Sequence, residues 1–199
     1  MNAPQAGAQP VSRRDRPARP ALSRAAIVAA GLSVADCEGL DAVTMRRVAT
    51  ELDTSASALY VYIRSRDDLL ESMFDQVFAE VARAAIPAGT WRERLSWLLV
   101  RSVEALGGHG GLARVALSTV PTGPNATQIT ARVRDLLTEA GIRDTAVPAA
   151  LDLLALFVTA AALDRVPVAR STSRQHRDLL RWEIEVILNG LCATEPGPG

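Results

Sequence analysis

An all-α fold in two parts is what this 199-residue sequence predicts, and three observations carry the prediction. No stretch alternates apolar and polar residues with period two, the pattern a half-buried strand requires. Apolar residues make up 48% of the chain but aromatics only 4%, so alanine, leucine and valine dominate, a mixture that suits packed helices. Apolar stripes at spacings of three and four recur, each bounded by residues that start or stop helices. About nine helices are expected, in a chain long enough to bury a real core.

Residues 1–21, with Pro4, Pro10, Pro17 and Pro20, read as a disordered arm. Five arginines (Arg13, Arg14, Arg16, Arg19 and Arg24) oppose Asp15 alone in the first 24 residues, while the whole chain nets to +0. A first helix runs from near Ser23 to Glu38, with Ile27, Ala30, Gly31 and Val34 on one face, and Gly39 ends it. Thr44 suits the N-cap of a second, whose apolar positions are Met45, Val48, Ala49 and Leu52. Asp53-Thr54-Ser55 interrupts that stripe with residues whose side chains compete for backbone groups. A third helix runs from about Ser55 to Ile63 around Ala58, Leu59 and Ile63. The fourth spans about Ser65 to Ala85, opening on Asp67 and Asp68 where the helix dipole favours anions. Its stripe of Leu69, Leu70, Met73, Phe74, Val77, Phe78 and Val81 is broad enough to pack on two sides.

Thr90 and Glu93 form a capping box for a helix from Trp91 to about Leu106. Gly107 to Gly111 then breaks the chain; with no Lys-Ser/Thr after it and no strand before it, this is a helix–helix corner and not a phosphate loop. Shorter and longer helices follow over residues 112–118, 126–140, 145–165 and 172–192, and 194–199 is a frayed tail. Domain boundaries fall at 22–66 for a small unit and 67–193 for a larger one.

Two short helices joined by a polar turn, as over residues 44–66, are the layout of a DNA-reading helix-turn-helix. A recognition helix enters the major groove by its amino-terminal end, and Ser55, Ala56 and Ser57 are small enough to allow approach. Tyr60 and Tyr62 carry hydroxyls that reach phosphates, and the Tyr60 ring suits a thymine methyl. All 22 basic residues are arginines, planar forks suited to phosphate or guanine.

The residues Ala-Val-Thr-Met-Arg-Arg-Val-Ala, Ser-Ala-Leu-Tyr-Val-Tyr-Ile and Arg-Asp-Asp-Leu-Leu, within about 22–75, resemble the DNA-binding domain of TetR-family transcriptional regulators. By that resemblance Tyr60 matches the family's recurrent recognition-helix tyrosine and Arg66 a basic phosphate contact. Thr44 and Arg46 match a phosphate-binding threonine and a base-reading arginine. Asp53 stands where the family usually has a turn glycine, and aspartate tolerates left-handed backbone angles better than most residues. Trp91-Arg-Glu-Arg-Leu, Thr122-Gly-Pro-Asn125 and Leu136-Leu-Thr-Glu-Ala-Gly141 resemble the carboxy-terminal domain of the tetracycline-repressor subgroup. The resemblance implies a cytoplasmic, homodimeric repressor that binds a near-palindromic double-stranded DNA operator and is released by a small organic effector. The position matching that subgroup's metal-binding histidine is Ala116, though the later acidic position is kept as Asp164. A largely apolar effector is therefore expected in place of a magnesium–tetracycline complex, with no metal and no cofactor.

Leu180, Ile184, Ile187, Leu188 and Leu191 recur at helical spacing in the last helix and are expected at a dimer interface. Leu179, Trp182 and Val186 form a second stripe, expected to face the protein's own core. Candidate effector-lining residues in the larger unit are Phe78, Trp97, Arg101, His109, Phe157 and Asp164. Two histidines, His109 and His176, and two distant cysteines, Cys37 and Cys192, supply no nucleophile motif or metal spacing, so an enzyme is not expected. The apolar run Leu153–Leu163 is too short to span a bilayer, and no signal-peptide core is seen. A constitutive DNA-binding or interaction module without an effector is the alternative the sequence leaves open.

Overall fold

The computed structural model describes residues 21–116, 122–164 and 174–193, and of 174–176 only the backbone. The expected arm at 1–20, the tail at 194–199, the ends of the helices reaching Ser118, Arg165 and Thr172, and the side chain of His176 lie outside the described residues. Within them the fold is all helical: α1 Arg24–Glu38, a 3-10 turn Leu40–Ala42, α2 Met45–Glu51, α3 Ala56–Leu59, α4 Arg66–Val77, α5 Ala79–Arg83, α6 Trp91–Gly107, α7 Gly110–Ala116, α8 Pro124–Glu139, α9 Val147–Asp164 and α10 Arg174–Ala193. Ten α-helices stand where about nine were expected, because the long fourth helix breaks in two. At Phe78 the amide bonds Asp75 and Gln76 carbonyls, so the i→i−4 ladder slips and the chain restarts as α5.

Local signals explain most helix starts. Ser23, Thr44, Ser55 and Ser65 each accept an amide N–H of the first turn in their hydroxyl oxygens. The Thr90–Glu93 capping box forms as expected, with both reciprocal bonds present. Those bonds to the Thr90 amide and hydroxyl hold the Glu93 carboxyl below its ordinary range. α8 begins differently. Gly123 has no side chain to cap with, and the cap comes instead from Asp75 on α4. Asp75 Oδ1 accepts the amides of Asn125 at 2.8 Å and Ala126 at 3.2 Å, and Oδ2 accepts Asn125 Nδ2 at 2.7 Å. A methyl on Gly123 would overlap that carboxylate, so the close approach requires glycine.

Buried residues form two clusters. One joins α1–α4 through Ile27, Val34, Val48, Leu59, Ile63, Leu69 and Met73, and reaches Leu106, Leu112 and Ala162 of the larger half. The other lies among α6, α8, α9 and α10, around Leu95, Leu98, Val103, Leu137, Leu154, Ile184 and Leu188. α9 has the length and apolar composition of a membrane span, yet it packs against α6, α7 and α8 and buries Leu154, Val158 and Ala162.

α10 overturns one assignment. Leu180, Ile184 and Leu188, expected at a dimer interface, are buried at 1%, 0% and 1% exposure in the chain's own core, with Ile187 and Leu191 packed beside them. Leu179, Trp182 and Val186, expected in the core, are 50%, 63% and 50% exposed. The two stripes were exchanged. Both are apolar at helical spacing, and only the side on which α6 lies decides between them.

Candidate nucleic-acid interface and effector cavity

α2 and α3 are held at a sharp turn by Asp53, whose φ of 49° makes it the one non-glycine in the left-handed region among the described residues. The aspartate expected to replace a turn glycine does so. α3 is short, only Ala56–Leu59, although the Ile63 amide still bonds the Leu59 carbonyl at 3.0 Å, so the helical path continues toward the expected end. Leu59 and Ile63 are fully buried and seat this segment on the core below. Tyr60, Val61 and Tyr62, between them, point outward at 54%, 78% and 40% exposure.

Thr44 and Ser55 are exposed and already serve as N-caps, leaving hydroxyl capacity for a second partner. Ser57 lies beside Ser55, with the two hydroxyl oxygens 2.8 Å apart. The neighbouring arginines of α2 divide their work. Arg47 bonds Glu38 from Nε at 2.9 Å and from Nη2 at 2.5 Å, and its Nη2 also reaches Glu51 at 2.9 Å. This pairing holds the Glu38 carboxyl below its usual range and raises Arg47 still further above its own. Arg46 is exposed, and its guanidinium makes no hydrogen bond or ion pair among the described residues. An unpaired guanidinium fork beside small hydroxyls and outward tyrosines can take a guanine edge or a phosphate without first breaking an internal bond.

Two of the expected DNA contacts are partly engaged within the chain. Arg66 is half-buried; its Nε donates to the Val43 carbonyl at 2.6 Å and Nη2 to the Leu40 carbonyl at 3.1 Å. It ties the start of α4 to the loop before α2 through Nε and Nη2. Ala56 is half-buried and packs against the core, so it lets the backbone approach without presenting a side chain. Val61 and Arg64 are also exposed beside the tyrosines. The exposure of Val61 follows from its place off the Ala58–Leu59–Ile63 stripe, between two tyrosines.

In the larger half a cavity of about 200 Å³ opens among Phe78, Leu99, Ser102, Leu106, Ala116, Ala126, Ile129, Thr130, Val133, Leu151, Asp152, Leu154, Ala155, Val158 and Thr159. Its hydroxyls are turned onto their own helices. Ser102 donates to Leu98 at 2.9 Å, Thr159 to Ala155 at 2.9 Å and Thr130 to Ala126 at 3.0 Å. Asp152, exposed, is the lining's one carboxylate. Of the six residues expected to line a cavity only Phe78 does. Trp97 and Phe157 are half-buried and pack against the second core cluster. Arg101 is exposed and pairs with Glu104 at 2.9 Å, and Asp164 is exposed at the last position of α9. His109 Nδ1 lies 2.9 Å from Asp36 Oδ1 on α1, bridging the glycine corner to the small unit instead of facing the cavity. Ala116, where the subgroup carries a metal-binding histidine, does line the cavity.

Comparison with known proteins places these features in company. Residues 27–73 match the family model described as bacterial regulatory proteins, tetR family, and residues 84–186 match the tetracyclin repressor-like C-terminal domain. The chain is 31% identical over 151 residues to the HTH-type transcriptional repressor DrrR1 of Streptomyces coeruleorubidus, covering 75% of this chain and 56% of that protein. It is 28% identical to the class E tetracycline repressor of Escherichia coli over 58% of this chain and 56% of the repressor. It thus spans about half the length of the curated relatives it matches. Among solved structures, Streptomyces coelicolor ActR in complex with actinorhodin superposes with a TM-score of 0.75 at 30% identity, covering 87% of this chain and 96% of ActR. BioQ with its natural double-stranded DNA operator superposes at 0.72 with 25% identity, over 87% of this chain and 99% of BioQ.

Proposed function

The chain belongs to the TetR family of bacterial regulatory proteins, and from that premise we propose that it is a cytoplasmic, non-enzymatic repressor that binds a near-palindromic DNA operator as a homodimer and is released by a small organic molecule. The observation that carries the reading is the reading head itself: Arg46 unpaired, Ser55 and Ser57 exposed at the start of α3, and Tyr60, Val61 and Tyr62 turned outward on a buried Leu59–Ile63 base. One head per chain reads one half-site, so a dimer reads two related by symmetry. We place the boundary of the head near residue 66 and the regulatory unit at 67–193.

The dimer face is the outward stripe Leu179, Trp182 and Val186 of α10, continued by Leu153 and Leu156 of α9 at 45% and 58% exposure. Exposed apolar side chains on the last two long helices fit a four-helix interface between copies. Coupling to the cavity runs through α4. Its first turn joins the head through Arg66, Phe78 at its far end lines the cavity, and Asp75 caps α8, whose Ala126, Ile129, Thr130 and Val133 line the same cavity. A ligand that prefers one setting of α8 against α4 thereby changes the spacing of the two heads.

The cavity favours an apolar molecule of about one or two rings, since a cavity of roughly 150 Å³ already holds a benzene. Any donor on that molecule would meet Asp152 or a free hydroxyl lone pair. ActR bound to actinorhodin supports an organic effector for this architecture. The test is to convert Trp182 to Glu. The variant should scatter light as a folded monomer at micromolar concentration and lose operator binding; a W182E variant that remains dimeric removes the assigned face.

A further inference from the structure

The recognition segment is too short to hold its own direction. α3 is four residues long, and a helix of one turn is not stable by itself, so its orientation must be imposed from outside. One arginine does this from the far side. Arg24, the first residue of α1, donates Nη1 to the Tyr62 carbonyl at 2.8 Å, and Nη2 to both the Asp68 carboxylate and Ser72 Oγ, the latter at 2.7 Å. The other oxygen of Asp68 accepts the Arg64 amide at 2.8 Å. The carbonyl before Ile63 and the amide after it are therefore both held by one Arg24–Asp68 pair, while Ile63 itself is fully buried. Three anchors on three successive residues fix where Tyr60, Val61 and Tyr62 point. The Asp68 carboxyl is held below its ordinary range, chiefly by the Arg64 amide, with burial opposing and Arg24 adding to the effect.

We propose that Arg24 is a positioning residue for sequence readout: by gripping the Tyr62 carbonyl and Asp68 it sets the angle at which Tyr60, Val61 and Tyr62 meet the base edges, and it is not a phosphate contact. The sequence places Arg24 at the end of a basic run, where a phosphate role is the first reading; the structure gives its fork three internal acceptors instead. This inference rests on the DNA-binding reading above.

The test uses the full chain and two duplexes of equal length: one that the wild-type chain enriches from a random pool, and one of mixed sequence. Arg24→Gln should weaken the enriched duplex about 10-fold or more, comparable to at least one misread base pair. Its affinity for the mixed-sequence duplex, and the slope of affinity against salt, should stay at wild-type values. Asp68→Asn should give the same selective loss, and the double variant should be no worse than the weaker single, since both act through one anchor. Circular dichroism at the assay temperature checks that the helices persist; should R24Q unfold, Arg24→Lys, which cannot bridge all three acceptors, should give an intermediate selective loss. Equal weakening of both duplexes, with the salt slope reduced by about one, would make Arg24 a phosphate contact and overturn the proposal. An unchanged preference for the enriched duplex would reduce Arg24 to a fold-stabilising residue and overturn it too. A wild-type chain that enriches no duplex overturns the functional reading, and this inference falls with it.

Discussion

Replacing Asp75 with alanine removes the only side-chain cap on α8 among the described residues, and the structure allows its cost to be worked out. The carboxylate accepts two amides of the first turn and the Asn125 side-chain amide, while Gly123, the N-cap residue, supplies no side-chain bond. Loss of an N-cap costs about 0.5–2 kcal/mol. Loss of a negative charge at a helix start costs about 0.3–1. Losing the net contribution of the hydrogen bond to Asn125 Nδ2 costs about 0.5–1.5. The sum is about 1.3–4.5 kcal/mol, which for a chain of this length lowers the melting temperature by roughly 3–18 °C. Thermal melts followed by circular dichroism should be run at one protein concentration, because a dimer's midpoint depends on concentration. Asp75→Asn, which keeps one acceptor but loses the charge, should fall about midway. Gly123→Ala drives a methyl into the same carboxylate and should cost a similar amount. The pair Gly123→Ala/Asp75→Ala should be far less than additive, since the second change has no clash left to cause. An Asp75→Ala variant within about 0.5 kcal/mol of wild type, or full additivity with Gly123→Ala, would refute this assignment of the cap.

Further outcomes separate binding from folding. Arg46→Ala should weaken the enriched duplex by about 1–3 kcal/mol and relax preference at one position per half-site, whereas Arg47→Ala, which loses only exposed ion pairs, should leave the selected sequence unchanged. Leu180→Ala should destabilise the fold by about 2–5 kcal/mol in urea unfolding, while Leu179→Ala on the outward stripe should alter dimerisation more than monomer stability. Glu93 and Asp68 have carboxyls held below their unfolded values, so the stability they contribute is present above the unfolded carboxylate range and is lost as pH falls through the lower folded values. Melting temperature should therefore fall on acidification below about pH 4, the unfolded carboxylate range, and less steeply for Glu93→Gln than for wild type.

Local features were legible in the sequence because their causes are local. The caps at Ser23, Thr44, Ser55, Ser65 and Thr90 each act within three residues, and Asp53 adopts the left-handed angle that its turn demands. Most of the failures depend on distance. Arg66 reads as a basic surface residue until the carbonyls of Leu40 and Val43, more than twenty positions away, are brought to its fork. The two stripes of α10 have the same period and similar apolar content, so sequence alone does not say which side α6 covers. The cavity arises where α6, α7, α8 and α9 fail to close on one another, and its walls are mostly small or aliphatic residues that look like ordinary core in the sequence. The break at Phe78 interrupts a stripe that stays apolar throughout, and nothing in its residue types marks the slip.

The most direct test of the account is the set of duplexes that the wild-type chain enriches from a random pool at physiological salt, read together with the number of chains bound per duplex. Two reading heads on one dimer predict a near-palindromic sequence, half-sites about one helical turn apart or somewhat more, and an even number of chains on each duplex. Enrichment of an asymmetric sequence by a single chain, or no enrichment at all, would contradict it.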